Sequence, residues 1–200
     1  MKVLVVGGGG REHAIARALA KSRDVVIYAA MSRRNPGIAT LSSDHLIIRE
    51  TSVQEIAAFC STHQITHAFI GPEAPLQAGI VDILESVGVR CVGPSRAAAR
   101  IETDKAFCRD LMKKYAIPGL PQYAIFRDPD SAIRYLLDSD REYAIKPVGL
   151  TGGKGVRIMG EVAVEFEDKL IALFEGPFEA GDVGAAEAAF ARAMEGVDGG

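Results

Sequence analysis

The amino-acid sequence predicts an α/β protein built on a doubly wound parallel sheet. Short apolar runs, several of them rich in valine and isoleucine, alternate with helical patterns over about the first 95 residues. The first run, residues 2–6, leads directly into four consecutive glycines and then into an alanine-rich helical pattern. A strand, a tight turn and a helix in this order are the opening unit of such a sheet.

Further elements follow from the same alternation. After a helix at residues 14–20, strands are expected at residues 25–30 and 45–48, and another ends at residue 70. Ser52 has the character of an N-cap for the helix after the second of these strands. A helix over residues 76–87 and a strand at residues 89–92 are expected to complete this part of the chain.

The composition excludes several classes of protein. The 200 residues are 48% hydrophobic and 24% charged, which suits one sizeable core or one domain and part of another. The net charge of -3 argues against nucleic-acid binding and polybasic membrane binding. Cys60, Cys91 and Cys108 are odd in number and widely separated, so neither a disulfide framework nor a metal site is predicted. With no signal segment and no membrane-length apolar run, a cytoplasmic location is expected.

The glycine turn has the features of an anion-binding site. Glycines let the backbone approach a ligand, and the free N–H groups that open a helix point at it with the positive end of the helix dipole. Arg11 and His13 add side-chain donors in the same place. A dinucleotide site is not favoured, because Glu12 occupies the sixth position of that fingerprint and the second strand ends without an acidic residue. The alternative is a turn that only connects strand to helix.

Two more loops are predicted to face the same crevice, since parallel strands present their carboxyl ends at one edge of a sheet. One follows the second strand and contains Arg33, Arg34 and Asn35, which suit a phosphate or a sugar. The other, residues 71–76, fixes Glu73 between prolines, where a carboxylate suits an amine or a ribose hydroxyl. For the first loop, the alternative is a solvated basic loop. For the second, it is a helix start that the prolines mark.

A domain boundary is predicted at residues 116–122, where Pro118 and Pro121 interrupt the helical pattern. Before it, Asp104 is expected to cap a helix that carries Lys105 near its start. Beyond it, the patterns predict strands at residues 123–126, 143–147 and 156–159, with a helix at residues 131–137.

Lys146 lies inside an apolar strand, and the loop after that strand is rich in glycine. A cation in a partly desolvated position is costly unless it meets an anion. The loop contains Gly152, Gly153, Lys154 and Gly155, which can surround phosphates with N–H groups and a cation. It is not an ordinary P-loop, because a strand follows it, and a mobile lid is favoured. The alternative is a glycine-rich hairpin with Lys146 facing solvent at a sheet edge.

Taken together, these motifs resemble those of one family. In order they are Gly-Gly-Arg-Glu-His at the first turn, Asn-Pro-Gly at 35–37, Gly-Pro-Glu-Ala-Pro-Leu at 71–76, Gly-Pro-Ser at 93–95, Asp-Lys-Ala-Phe at 104–107, Ile-Lys-Pro at 145–147 and Gly-Gly-Lys-Gly at 152–155. In this combination the chain, up to about residue 160, resembles the phosphoribosylamine–glycine ligases, ATP-grasp enzymes of purine biosynthesis. The resemblance implies a Rossmann-like pre-ATP-grasp domain at 1–117, an incomplete α+β ATP-grasp lid subdomain at 118–160 and an out-of-family tail at 161–200.

The resemblance also implies which residues bind the substrates. The phosphoribosylamine side would consist of Gly9, Gly10, Arg11, Glu12, His13, Asn35, Gly71, Pro72, Glu73 and Pro75. The ATP side would consist of Lys105, Lys146, Gly152, Gly153, Lys154 and Gly155. In the family's reaction, the carboxylate of glycine attacks the γ-phosphate of ATP, and the amine of phosphoribosylamine captures the glycyl phosphate. No single residue is marked out as catalytic.

Residues 161–200 show none of the family's later half, which carries the Mg²⁺ carboxylates. We expect one or two surface helices with a frayed end there, and Mg²⁺ without ligands in this chain. One hypothesis is an enzyme module that works with a complementing chain carrying the rest of the ATP-grasp domain. The alternative is a non-catalytic remnant or binding module that keeps a sugar-phosphate site. The expected partners are glycine and phosphoribosylamine, with no nucleic acid or membrane.

Overall fold

The computed structural model describes residues 1–138, 143–150, 157–158 and 171–175. The chain divides into two compact units, Met1–Ala99 and Arg100–Gly200. Within the described ranges, no helix is long and apolar enough to cross a membrane.

The first unit contains a five-stranded parallel sheet with strand order β3-β2-β1-β4-β5. The strands are β1 (Lys2–Val6), β2 (Val26–Met31), β3 (Asp44–Ile47), β4 (His67–Ile70) and β5 (Arg90–Val92). The helices are α1 (Gly10–Leu19), α2 (Pro36–Leu41), α3 (Val53–His63), α4 (Glu73–Gln77), α5 (Ile80–Ser86) and α6 (Arg96–Thr103), which runs across the division between the units. The predicted doubly wound parallel sheet is confirmed.

Alternate residues of the central strand face opposite sides of this sheet. Leu4 and Val6 belong to a core cluster with residues of α3 and α5, whereas Val5 belongs to a second cluster with Ala16 of α1 and Ile38 of α2. A parallel strand between two helical layers needs apolar residues on both faces, which explains the uninterrupted apolar run. The chain leaves β1 towards β2 on one side and returns to β4 on the other, so the topological switch point lies between β1 and β4.

One predicted helix of this unit is divided. The pattern at residues 76–87 indicates a single helix, but the structure has α4 and α5, with Gly79 between them at φ +82°. That left-handed conformation is accessible to glycine and strained for other residues. The sequence pattern misses the break because an isolated glycine is also tolerated inside a helix.

The described part of the second unit contains a four-stranded antiparallel sheet with strand order β6-β9-β7-β8. The strands are β6 (Tyr123–Phe126), β7 (Tyr143–Pro147), β8 (Arg157–Ile158) and β9 (Ile171–Glu175), and the helices are α7 (Lys105–Lys114) and α8 (Pro129–Leu137). Ala132 of α8 packs with Tyr143 and Ile145 of β7. β7 pairs with β8, and most of the glycine-rich loop between these two strands lies outside the described residues.

The expectation of surface helices in the tail is wrong at residues 171–175. These residues form β9, an interior strand that pairs with both β6 and β7. A short apolar run such as Ile-Ala-Leu-Phe is compatible with a strand or a buried helix, and periodicity alone does not separate the two. The remainder of the predicted tail lies outside the described residues.

Helix α7 belongs to the second unit, although the predicted domain boundary lies after it. Its first residue, Lys105, donates a backbone hydrogen bond to the carbonyl of Val148, just beyond β7. A long-range contact of this kind leaves no sequence signal. The limits 1–117, 118–160 and 161–200 stay predictions.

Candidate functional site

The glycine turn between β1 and α1 presents open backbone donors at the carboxyl edge of the first sheet. Gly7 has φ +113°, and its N–H donates to the carbonyl of Ala30 in β2 (2.8 Å). Among the described residues, the N–H groups of Gly8, Gly10 and Arg11 have no hydrogen-bond partner. They lie at the positive end of α1, so the turn can accept an anion.

Glu12 is buried beneath this turn, with 4% of its surface exposed. Its Oε2 accepts a hydrogen bond from the N–H of Gly9 (2.7 Å), and its Oε1 accepts one from Nε of Arg11 (3.2 Å). A Cβ at Gly7 would lie 2.8 Å from Cγ of Glu12, and a Cβ at Gly71 would overlap Oε1. The glycines around Glu12 therefore make room for its side chain.

Arg11 reaches across the switch point to the loop after β4. Its guanidinium donates to the carbonyl of Gly71 and lies 3.5 Å from Oε1 of Glu73. The hydrogen bond to Glu12 raises the pKa of Arg11, and the negative charges of Glu12 and Glu73 act in the same direction against the opposing effect of burial. Arg11 is thus engaged with the protein while most of its side chain stays exposed.

The loop after β2 is tied to the glycine turn by Asn35. Its Oδ1 accepts hydrogen bonds from the N–H groups of Gly37 (3.0 Å) and Ile38 (3.3 Å), which caps α2. Its Nδ2 donates to the carbonyl of Gly8 (3.0 Å). The imidazole of His13 lies against Gly37, where a Cβ would collide with Nε2. Both side chains therefore hold the turn and the loop together.

The structure thus places most of the predicted phosphoribosylamine-side residues in three adjoining loops or in the first turn of the following helix. They are Gly9, Gly10, Arg11, Glu12, His13, Asn35, Gly71, Pro72 and Glu73. Pro75 is different, because it is fully buried within α4. Gly8 is not among the residues predicted for this site. Its N–H is nevertheless open, and its carbonyl accepts a hydrogen bond from Nδ2 of Asn35. The only sequence signal for Gly8 is its place in the run of four glycines.

In the second unit, Lys105 is fixed at the start of α7. Asp104 caps the helix by accepting a hydrogen bond from the N–H of Phe107 (2.9 Å). The amino group of Lys105 donates to the carbonyl of Gly149 (2.8 Å) and lies 3.4 Å from that of Val148. The side chain is therefore held against the end of β7.

Lys146, in β7, acts electrostatically on Lys105. Burial lowers the pKa of Lys105, the positive charge of Lys146 lowers it further, and Asp104 opposes both effects. An anion bound beside the two side chains would offset the repulsion that disfavours the charged form of Lys105, so the pair forms a candidate phosphate site. Gly152, Gly153, Lys154 and Gly155, predicted for the same site, lie outside the described residues.

The described residues do not fit a metal centre. Within that part of the chain, no group of three or more His, Cys, Asp or Glu side chains is placed to hold a metal ion. Mg²⁺ prefers carboxylate oxygens and water, and the paired-lysine site is cationic.

Two family models match adjoining parts of the chain. The model described as phosphoribosylglycinamide synthetase, N domain, matches residues 1–102. The model described as phosphoribosylglycinamide synthetase, ATP-grasp (A) domain, matches residues 103–188. The second match includes β9 and extends beyond residue 160, where the recognisable motifs end.

Individual proteins show the same similarity. The chain is 62% identical over 161 residues to phosphoribosylamine–glycine ligase of Methanoregula boonei, covering 80% of this chain and 38% of that protein. The phosphoribosylamine–glycine ligase structure from Thermotoga maritima matches with a TM-score of 0.64 at 23% identity, covering 88% of this chain and 44% of that one. N5-carboxyaminoimidazole synthetase from Staphylococcus aureus, solved with ADP, matches with a TM-score of 0.67 at 8% identity, covering 88% and 47%. At these identities the two structures support the fold alone.

Proposed function

The chain belongs to the phosphoribosylglycinamide synthetase family, and from this membership we propose that it takes part in the ATP-dependent joining of glycine to 5-phosphoribosylamine in purine biosynthesis. The carboxylate of glycine attacks the γ-phosphate of ATP, and ADP leaves. The amine of phosphoribosylamine then attacks the carbonyl carbon of the glycyl phosphate and displaces phosphate. Since the chain spans 38% of the length of its Methanoregula boonei relative, it acts in this proposal within a longer protein or beside a complementing chain.

The observation that carries the nucleotide part is the pairing of Lys105 and Lys146. Phosphoryl transfer depends on positioning and on positive charge around the phosphates. Lys105 is pre-positioned by its hydrogen bond to Gly149, and after burial the positive charge of Lys146 is the next cause that lowers its pKa. A lysine ammonium has three N–H donors. Contacts with two carbonyls leave one donor for a phosphate oxygen.

The first unit supplies the sugar-phosphate part of the proposal. The open N–H groups of Gly8, Gly10 and Arg11 bind the phosphate of phosphoribosylamine at the start of α1. Glu73, with 37% of its side chain exposed, is placed to accept a hydrogen bond from the amine or a ribose hydroxyl. Family membership and this open turn support the assignment together.

The test is complementation. The 200-residue chain is mixed with the part of the Methanoregula boonei relative that follows the matched region, and ADP release is followed with glycine and freshly generated phosphoribosylamine. The mixture should release ADP only when both substrates are present, whereas neither chain alone should do so. Lys146→Ala should abolish the activity, and Lys113→Ala, on the exposed face of α7, should retain it.

A folded mixture without substrate-dependent ADP release would contradict the proposed reaction. Ribose 5-phosphate binding by the same sample would then favour the second candidate, a binding module that keeps a sugar-phosphate site. The three open N–H groups of the glycine turn are the observation in favour of that candidate.

A further inference from the structure

Glu12 lies between two loops that come from different strands of the first sheet. Its carboxylate binds the N–H of Gly9 in the turn after β1. The same carboxylate occupies the space beside Gly71, in the loop after β4, and the neighbouring Arg11 donates to the carbonyl of Gly71. The two side chains thus fasten the loop after β4 to the glycine turn at the switch point.

The presence of glycine at position 71 is explained by Glu12. Gly71 is not among the residues with positive φ, so its backbone does not require glycine. A Cβ there would instead overlap Oε1 and crowd Cγ and Cδ of Glu12. The Gly-Arg-Glu-His and Gly-Pro-Glu motifs, about 60 residues apart, are therefore two halves of one packing arrangement.

The hydrogen bond from the N–H of Gly9 to Glu12 is the capping-box contact of an acid in the first turn of a helix, but the cap does not require Glu12 to be buried against Gly71. Glu55 holds the same position in α3, three residues after the N-cap, and it is exposed, with no capping hydrogen bond described for that helix end. Glu12 is instead buried, with both carboxylate oxygens occupied. A capping box can also form at an exposed helix end, and burying a carboxylate carries a desolvation cost, so the burial of Glu12 beneath the open turn calls for a role beyond the cap.

We propose that Glu12 is a positioning residue of the sugar-phosphate site and does not touch the ligand. Its buried carboxylate sets the spacing between the open N–H groups of the turn and the carboxylate of Glu73, so that one sugar phosphate meets both. The role rests on the proposed function of the first unit. It differs from the direct contact expected from the sequence, because both oxygens of Glu12 are used within the protein.

The experiment compares Glu12→Ala and Glu12→Gln in the 200-residue chain, with Glu55→Ala as the matched control. Calorimetry measures binding of ribose 5-phosphate and, separately, of MgATP. Glu12→Ala should weaken ribose 5-phosphate binding by about tenfold or more, as expected when a binding group is displaced by a fraction of an ångström. Glu12→Gln should recover part of the loss, because its amide oxygen still accepts from Gly9. MgATP binding should be unchanged in all three variants.

A second measurement tests the packing itself. Gly71→Ala should lower the Tm in the wild-type background and should have a much smaller effect in the Glu12→Ala background, where the overlap is gone. Unchanged ribose 5-phosphate affinity in both Glu12 variants would overturn the positioning role and leave the proposed function standing. Equal loss of both ligands would overturn it as well, because only general destabilisation would explain that result. A wild-type chain that does not bind ribose 5-phosphate would remove the proposed site and the role with it.

Discussion

The amino group of Lys105 lies 2.8 Å from the carbonyl oxygen of Gly149, three residues beyond Lys146. This contact holds the first residue of α7 against the end of β7. Because Lys146 lies in that strand, the contact keeps two cations within each other's field. A site of this kind favours anionic ligands and should respond to pH.

The first prediction concerns the titration of Lys105. Burial and the charge of Lys146 lower the pKa of Lys105 from 10.5, so it should lose its proton at a lower pH than an ordinary lysine. Lys146→Met should move the pKa of Lys105 upwards, whereas Lys113→Met should leave it in place. Heteronuclear NMR of the lysine side chains measures both. An unchanged Lys105 titration in Lys146→Met would contradict the described coupling.

The lowered pKa of Lys105 also makes the stability of the protein depend on pH. Between the lowered pKa of Lys105 and 10.5, the unfolded state binds a proton that the folded state has released. Lys105 should therefore increase the free energy of unfolding as the pH rises through that interval. Lys146→Met should narrow the interval, and urea titrations across alkaline pH provide the measurement. If the pH interval of rising stability were wider in Lys146→Met than in the wild type, the predicted effect of Lys146 on Lys105 would be contradicted.

A third prediction concerns Gly71. Gly71→Ala should destabilise the first unit by about 1–3 kcal/mol, because its Cβ would overlap the carboxylate of Glu12. Gly10→Ala is the matched control, since a Cβ there meets nothing within 4 Å at the first position of α1. Thermal unfolding distinguishes the two substitutions. Similar Tm values for both would mean that Glu12 does not fill the space beside Gly71.

A fourth prediction concerns Asn35. Asn35→Ala should cost about 1 kcal/mol, the usual value for a lost N-cap. Ser52→Ala should cost less, because Ser52 caps α3 without a side-chain hydrogen bond. Asn35→Asp keeps the cap, but a carboxylate oxygen would face the carbonyl oxygen of Gly8 in place of the donor, so it should lose part of the stability and weaken ribose 5-phosphate binding. If Asn35→Asp and the wild type bound ribose 5-phosphate with equal affinity, the hydrogen bond from Asn35 to Gly8 would have no part in the site.

Much of the fold could be predicted because its signals are local. β6 and β7 have the predicted bounds, and α3 begins directly after Ser52, as its capping pattern indicates. The division at Gly79 and the strand β9 could not be predicted, because their causes are a backbone angle and pairing with distant strands. Local patterns carry neither kind of information.

The candidate sites also have some features that the sequence predicts and others that it does not. Sequence patterns singled out Lys146 and the glycine turn, because a cation in an apolar strand and clustered glycines have a chemical purpose that can be recognised. Lys105 was expected only from the family resemblance. The patterns did not reveal that Glu12 is buried against Gly71, since the two residues are far apart in the chain. Whether a polar residue faces a ligand or supports a loop depends on such contacts.

In the proposed function, Lys105 and Lys146 together hold the phosphates of ATP. Calorimetric titration with MgATP of the wild-type chain, Lys105→Ala, Lys146→Ala and Lys113→Ala tests it most directly. The wild type and Lys113→Ala should bind MgATP alike, and each of the other variants should lose about tenfold or more in affinity, the scale of a charge-assisted hydrogen bond. Equal affinity in all four proteins, or no binding by a folded wild-type chain, would contradict it.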